Sequence, residues 1–355
     1  DSNVVAEIVI NEANFFEGMK TGDDNESVIH EIGIKLIKTD NNGNVYVTEF
    51  VPAGAIGKYD ADTVKTIEWT TVEDKHSFTI EYNEDADYVL EIAYTDYSEN
   101  DSETVSYDNE FVTEKVVKTY TSKVITVDKT APVITVDFDP AQPVNTIDGT
   151  EYYNSAATAT VTVNEHNFRP SDFEALVSAV NVTGAAVAIT DYNAYFKNPE
   201  NWTKSGNIHT IKVPFETDAN YAFDYTFEDL ALNTEEVDYE TYLFTVDKTI
   251  PEIPVIKYST PVLEKIIEAL TFGYYQAQAE VTVTVDDITS GIDTIIWKYI
   301  KQTGSSVINA ENSETTVERA DIKCSDGKKT ATISFMIPAQ ARGNISVTAV
   351  DRSNN

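Results

Sequence analysis

Carboxylates are the residues of this chain best placed to do chemistry. Of 355 residues, 60 are Asp or Glu, and some of them recur in fixed company. Asp128 and Asp247 sit in Val127-Asp128-Lys129-Thr130-Ala131-Pro132 and Val246-Asp247-Lys248-Thr249-Ile250-Pro251. Asp96, Asp229 and Asp351 each open an Asp-x-small-x-Asn stretch ending at Asn100, Asn233 and Asn355. Glu12 and Glu165 follow matching segments, Ala6 to Phe15 and Ala159 to Phe168. Hard cations take six to eight oxygens from carboxylates and carbonyls. Calcium candidates at the two Val-Asp-Lys-Thr stretches are therefore Asp128 and Asp247, each with a loop acid of the adjoining segment. The competing reading is turn closure, in which Asp accepts from amides two residues on and the closing Asn takes left-handed geometry. No dense Asp-x-Asp-x-Asp run accompanies either stretch. Turn closure is the expectation for Asp96, Asp229 and Asp351, and loop anchoring for Glu12 and Glu165. No residue is assigned to a metal.

Other chemistry is thinner. His76 and His209 hold equivalent places at strand starts, which suits structure rather than catalysis. Glu165-His166 resembles a dyad, but Glu12 is followed by Ala13. Gly-x-Ser-x-Gly, His-Glu-x-x-His, Cys-x-x-Cys and phosphate-loop patterns are all missing, so no catalytic or cofactor residue is assigned. The single Cys324 excludes an intramolecular disulfide. Trp202, between Asn198 and Gly206, is the one tryptophan offered as a sugar platform, with core filling the preferred alternative. Trp297 belongs to an apolar strand.

Strands must position these groups. Each Val-Asp-Lys-Thr stretch follows one alternating segment and precedes another, with proline between. Proline cannot donate to a central ladder, so it marks a strand's first residue or an edge. The residue before it is pushed to extended geometry. The stretch therefore reads as a short, stiff joint. Ordered markers returning at roughly 120 to 150 residues mean copies of one fold. The boundaries follow as 1–130, 131–250 and 251–355. The first copy should lack its opening strand and the third its last, so the chain is expected to be a segment of something longer.

Strands are expected near 4–11, 28–38, 44–51, 66–82 and 87–96, with an extra hairpin over 103–127. They continue near 132–138, 157–164, 181–190, 207–215, 221–229 and 237–247. The last set lies near 252–257, 278–286, 292–300, 306–311, 329–337 and 344–351. Helical spacing appears over Ser171 to Ala179, and Pro261 to Leu270 offers one or two turns. Elsewhere the period is two. Tyr221, Phe223, Tyr225 and Phe227 share one face, opposite Asp224, Thr226 and Glu228. Tyr88 and Tyr221 open equivalent strands, either as tyrosine corners or as ordinary core tyrosines.

A net charge of −35 repels phosphate backbones and anionic membrane surfaces, which disfavours nucleic acid as a partner. No apolar run of about 18 residues is available to span a membrane. A monomer is expected.

Asp-x-small-x-Asn after the penultimate strand, then Val-Asp-Lys-Thr-x-Pro, with Asp287-Ile288-Thr289-Ser290-Gly291-Ile292 in the third copy, resembles the tandem bacterial immunoglobulin-like repeats of surface and secreted proteins. The resemblance covers nearly the whole chain. It departs at Asn11-Glu12-Ala13-Asn14-Phe15 and Asn164-Glu165-His166-Asn167-Phe168, where the Asp-x-x-Ser-Gly form is replaced. It implies an all-β fold of tandem immunoglobulin-like β-sandwich domains in an elongated, extracellular or cell-surface array. The array would act as an adhesin stalk or spacer, without catalysis, with a host or cell-wall glycan or protein as partner. The alternative is a carbohydrate-binding accessory region of a large secreted glycosidase.

Overall fold

The structure is a computed structural model, and it describes residues 4–11, 33–52, 64–94, 102–107, 110–115, 118–234, 241–259, 278–301, 312–317, 323–325, 329–338 and 343–355. Glu12, Asp96, the helix expected over 261–270 and the strand expected over 306–311 lie outside the described residues. Among the described residues the fold is all-β apart from one short helix and short 3-10 turns. The chain divides into two compact units. Unit 1 comprises Asp1–Pro132 with Glu165–Asn167 and Asp229–Thr234, and unit 2 holds the remainder.

Unit 1 contains β1 (Val4–Asn11), β2 (Gly33–Asp40), β3 (Val45–Pro52), β4 (Val64–Ile67), β5 (Thr70–Val72), β6 (Lys75–Tyr82), β7 (Ala86–Tyr94), β8 (Ser102–Tyr107), β9 (Glu110–Lys115), β10 (Lys118–Thr121) and β11 (Ile125–Val127). One sheet runs β1-β6-β5, and another β10-β7-β2-β3-β4, with β11 also on β7. Alternation drives them together. Ile34 and Leu36 of β2, with Tyr88 and Leu90 of the neighbouring β7, share one buried cluster with Ile80 and Tyr82 of β6 in the other sheet. The Tyr82 and Tyr88 rings stack at 4.7 Å. The segment expected as one strand over 66–82 is broken twice, and Glu73 turns the β5–β6 hairpin with φ 54°. Of the expected extra hairpin, β8 and β9 pair with each other, whereas β10 and β11 join β7.

Unit 2 contains β12 (Val133–Asp139), β13 (Asn145–Ile147), β14 (Thr150–Tyr153), β15 (Ala157–Asn164), β16 (Glu174–Val180), helix α1 (Tyr192–Lys197), β17 (Trp202–Ser205), β18 (Ile208–Phe215), β19 (Ala219–Thr226) and β20 (Tyr242–Val246). There follow β21 (Val255–Ser259), β22 (Ala279–Asp286), β23 (Ile292–Lys301), β24 (Asn312–Val317), β25 (Lys323–Ser325), β26 (Thr330–Ile337) and β27 (Gly343–Asp351). Sheets β12-β15-β18-β17 and β13-β14-β20-β19-β16 contribute to one core. Sheets β21-β22-β26-β25 and β24-β23-β27 contribute to a second. The order β1-β6-β5 of unit 1 recurs as β15-β18-β17 and β22-β26-β25.

Period-two burial explains these strands. In β15 Ala157, Ala159, Val161 and Val163 are fully buried and the threonines between them are not. Each buried valine contributes about 1.5–3 kcal/mol relative to exposure. Phe215 lies at the centre of the first core, with rings of Tyr192, Tyr221, Phe223 and Phe244 between 4.8 and 6.0 Å away. Both candidate corner tyrosines donate to a carbonyl four residues upstream at 2.8 Å: Tyr88 to Glu84 and Tyr221 to Thr217.

Ser171 to Ala179 is not a helix. Pro170–Asp172 makes a single 3-10 turn, and Glu174–Val180 is β16, paired with β19. Its buried Ala175 and Ala179 are four apart, a spacing that fits a helix or a strand, and the partner strand decides. The strand expected over 181–190 is instead a turn. Asn181 Oδ1 accepts from the amides of Thr183 and Ala185, and one bridge, Val180 to Ala186, follows. The true helix is α1, capped by Asp191, which accepts from Ala194 N at 3.0 Å.

Each hydrophobic cluster has its own tryptophan. Trp69 lies on Phe78, Trp202 on Phe168 and Trp297 on Phe335. Single-tryptophan variants therefore read the three cores separately. Phe215→Ala should destabilise the Trp202 core by about 3–5 kcal/mol. Denaturant titration should show the Trp202 midpoint falling while the Trp297 midpoint moves much less. Equal shifts at both tryptophans would mean that the two cores of unit 2 unfold as one.

Candidate metal centres at two aspartate turns

The Val-Asp-Lys-Thr stretch builds the same small structure in each unit. Val127 and Val246 end their strands buried. Asp128 Oδ1 then accepts from Thr130 N, and Asp247 Oδ1 from Thr249 N, both at 3.1 Å. A second aspartate fastens the turn from outside. Asp85 accepts from Lys129 N (3.1 Å) and from the Thr130 hydroxyl. Asp218 accepts from Lys248 N (3.2 Å) and Thr249 Oγ1 (2.6 Å). Asp85 and Asp218 were not singled out from the sequence. Their signal was the repeated Asp-Ala-x-Tyr at Asp85 to Tyr88 and Asp218 to Tyr221.

The Asp-x-small-x-Asn stretch closes a turn, as expected. Asp229 Oδ1 accepts from Ala231 N (2.7 Å) and Asn233 N (2.9 Å), and Asn233 Nδ2 donates to Asp229 Oδ2 (2.9 Å). Asp351 accepts from Asn355 N (2.9 Å) and Asn355 Nδ2 (3.0 Å). The left-handed residue is the fourth of the stretch, not the closing Asn: Leu232 has φ 67° and Asn354 φ 61°. The closing Asn reaches further. Asn233 Nδ2 donates to Asp128 O (3.1 Å), and Asn355 Nδ2 to Asp247 O (2.8 Å).

These contacts bring together residues that the sequence reading treated apart. In unit 1, Asp128, Glu165 and Asp229 each offer a carboxylate oxygen, all within 4.8 Å of one another. In unit 2, Asp247, Asp287 and Asp351 do the same. Asp287 holds the place of Glu165: Oδ1 accepts from Thr289 N, as Glu165 Oε1 accepts from Asn167 N. Asp128 and Asp247 each meet acids of the following segment, and the expected turn closure holds at Asp229 and Asp351.

Burial sets the electrostatics. Asp247 and Asp351 are fully buried, and Asp287 is 4% exposed. Burial pushes the Asp247 carboxyl up to about 6, with the Asp287 charge adding. Burial pushes Asp351 up to about 7, with Asp247 and Asp287 adding. Burial raises Asp287 too. Glu165 is pushed up to about 7, first by burial and then by Asp128 and Asp229. Among the described residues no lysine or arginine forms an ion pair with the unit 2 trio. Lys248 pairs with Asp218, and Arg352 Nη1 donates to Tyr152 OH at 3.1 Å. An ionised carboxylate taken from water costs several kcal/mol unless it is compensated. Burial and mutual repulsion therefore favour the protonated forms of this trio, and the amide donors oppose that shift.

The remaining candidates fall into structure. Trp202 Nε1 donates to Phe196 O at 2.7 Å, and its ring packs on Phe168 and Phe173, so it fills the core. His76 is buried with Nδ1 2.9 Å from Thr71 Oγ1, and buried His209 lies against Phe168. No protein-family model matches the chain, and no curated protein matches it in sequence.

The titration has a definite sign. A carboxyl raised in the folded state binds its proton more tightly there than in the unfolded chain. The stability it contributes is complete below about pH 4 and is lost as pH rises through about 6 to 7. In chelator, the Tm of the Trp297 core should therefore fall between pH 5 and pH 8, and Asp351→Asn should flatten that slope. A Tm that rises over this window would show the trio to be stabilised by its charges.

Proposed function

We propose that the chain is a non-catalytic array of immunoglobulin-like β-sandwich modules from a bacterial cell-surface or secreted protein, serving as an adhesin stalk or spacer. The recurrent sheet order, the corner tyrosines and the repeated Val-Asp-Lys-Thr turn support tandem modules of one fold. What a spacer needs is a fixed angle between neighbours. The observation that carries the reading is the seam between the two cores of unit 2.

That seam is polar and well supplied with hydrogen bonds. Val182 N donates to Ile288 O at 3.0 Å, and Asn220 Nδ2 to Thr289 O at 2.8 Å. Asn145 Nδ2 donates to Arg352 O (3.1 Å) and Asn354 Nδ2 to Val144 O (3.0 Å). Asn355 Nδ2 reaches Asp247 O across the same seam. Donors on both sides point at carbonyls on the other, so rotation about the Pro251 stretch breaks several bonds together. Each is worth about 0.5–1.5 kcal/mol net, and a set made or broken as one holds an angle that no single bond would. Pro251 adds stiffness by fixing its own φ and restricting Ile250.

The test is a distance distribution. Spin labels on cysteines replacing the exposed Lys204 and Lys257, in a Cys324→Ser background, report the angle between the cores. One narrow distribution is expected, and Asn220→Ala with Pro251→Gly should widen it while leaving both cores folded. A broad distribution in the unaltered chain would sink the spacer reading.

A further inference from the structure

We infer that a cleft beside Arg352 in unit 2 binds a sugar acid, with one edge of the guanidinium holding the ligand's carboxylate. The inference names a partner class for the array proposed above. It rests on that reading's fixed seam, because both sides of the seam line the cleft.

Strand register builds the floor. Ser178 of β16, Ala222 of β19 and Leu243 of β20 lie in one row across the sheet. Val180, Asn220, Thr245 and Tyr152 form a second row. Side chains alternate along a strand, so both rows share the outer face, opposite the buried Ala179, Tyr221 and Phe244. The second row is covered: Thr245 and Tyr152 are buried, and Asn220 Nδ2 donates to Thr289 O. The first row stays open, with Ser178 and Leu243 exposed. Small side chains at Ser178 and Ala222 leave a cleft of about 470 Å³, within the size range of small-ligand sites.

Arg352 lines this cleft and is 4% exposed. Its main chain is fastened on both sides: N donates to Gly291 O, and O accepts from Asn145 Nδ2, each at 3.1 Å. Nη1 donates to Tyr152 OH at 3.1 Å. Nε and Nη2, the two nitrogens of one guanidinium edge, have no hydrogen-bond partner among the described residues. That edge carries parallel N–H bonds, the geometry that takes both oxygens of a carboxylate. A buried cation short of acceptors is costly, and an arriving carboxylate removes the cost. The chain supplies none. Asp351, next to Arg352 in sequence, is bound by Asn355 instead. Although 60 residues of the chain are acidic, no carboxylate lines the cleft among the described residues.

The ligand class follows from the remaining lining and the charge. A net charge of −35 repels a phosphate dianion more than a singly charged carboxylate. Thr150, Ser178 and Asn181 add hydroxyls and an amide, which both donate and accept, as sugar hydroxyls do. Tyr152 OH accepts from Nη1 and keeps its own hydrogen to donate. An acidic peptide would want an apolar pocket for an anchoring side chain. Leu243 is the one large apolar side chain exposed in the described lining.

The test uses the full chain at pH 7.5 and saturation-transfer NMR with glucuronate, galacturonate and N-acetylneuraminate, against glucose and galactose as neutral counterparts. At least one acid should bind saturably with a Kd of about 1 mM, and its neutral counterpart at least tenfold more weakly. Arg352→Lys keeps the charge but loses the edge, and should weaken binding at least tenfold. Ser178→Phe fills the exposed floor and should do the same, whereas the distant Arg169→Lys should leave binding intact. Denaturant midpoints at Trp202 and Trp297 check that each variant is folded. Absence of saturable binding by all three acids at about 20 mM, some twenty times the expected Kd, overturns the inference. So does equal binding of the neutral sugars, or binding that persists unchanged in Arg352→Lys and Ser178→Phe. Tighter binding of N-acetylglutamate than of any sugar acid would overturn the sugar assignment in favour of an acidic peptide. A narrow label distribution without sugar-acid binding would sink the cleft and leave the spacer reading. Sugar-acid binding with a broad distribution would do the reverse.

Discussion

Everything at the seam of unit 2 depends on one carboxylate that has left water. Asp247 is fully buried, and its two side-chain oxygens and its carbonyl take donors from three different places. Thr249 supplies an amide from its own turn, Ser290 one from the loop after β22, and Asn355 a side-chain amide from the end of β27. No one of these donors is sequence-local to the other two. The aspartate therefore works as a hub. If it is left unsatisfied, the desolvation cost falls on whichever contact is missing, and the partners have reason to stay together.

This explains why three sequence markers separated by long stretches keep company. Val-Asp-Lys-Thr provides the hub, the acid after the second strand provides a neighbour, and Asp-x-small-x-Asn provides both another acid and the reaching asparagine. Unit 1 repeats the arrangement with Asp128, Glu165 and Asp229, and its Asn233 reaches Asp128 O as Asn355 reaches Asp247 O. The change from Asp287 to Glu165 lengthens one arm by a methylene without breaking the trio. The residue that fastens the turn from outside is equally paired, Asp85 against Asp218.

Much of the fold was legible because burial with a period of two writes itself directly into a strand, as in β15 and β18. Where local spacing was ambiguous, the reading failed. Ala175 and Ala179 satisfy either period, and only the pairing of β16 with β19 decides between them. Helix α1 has six residues, too few for a periodic signal, and shows itself only through the Asp191 cap. For the site, each marker was visible but its meeting place was not. Convergence of positions about 40 and 104 residues from Asp247 follows from sheet order, which no local pattern contains. Ser290 was invisible as a contributor for the same reason.

A third Asp-x-x-x-Asn turn separates what the turn does from what the trio does. Asp40 to Asn44 forms the same closure: Asp40 Oδ1 accepts from the amides of Asn42 and Asn44, Asn44 Nδ2 donates to Oδ2, and Gly43 takes φ 82°. This turn lies at the surface of the β2–β3 hairpin. Its hydrogen bonds, led by Asn44, hold the Asp40 carboxyl below the ordinary aspartate range. Asp351 receives equivalent bonds from Asn355, yet its carboxyl is raised, because burial outweighs them and Asp247 and Asp287 add like charge. Similar turn closure therefore goes with opposite charge preferences. Turn closure is complete at Asp40, which belongs to no cluster of three acids among the described residues, so closing a turn does not require the trio. The gathering of acids around Asp247 is a separate property of the seam. It carries an electrostatic cost, from burial and like charge, that the exposed turn at Asp40 does not incur.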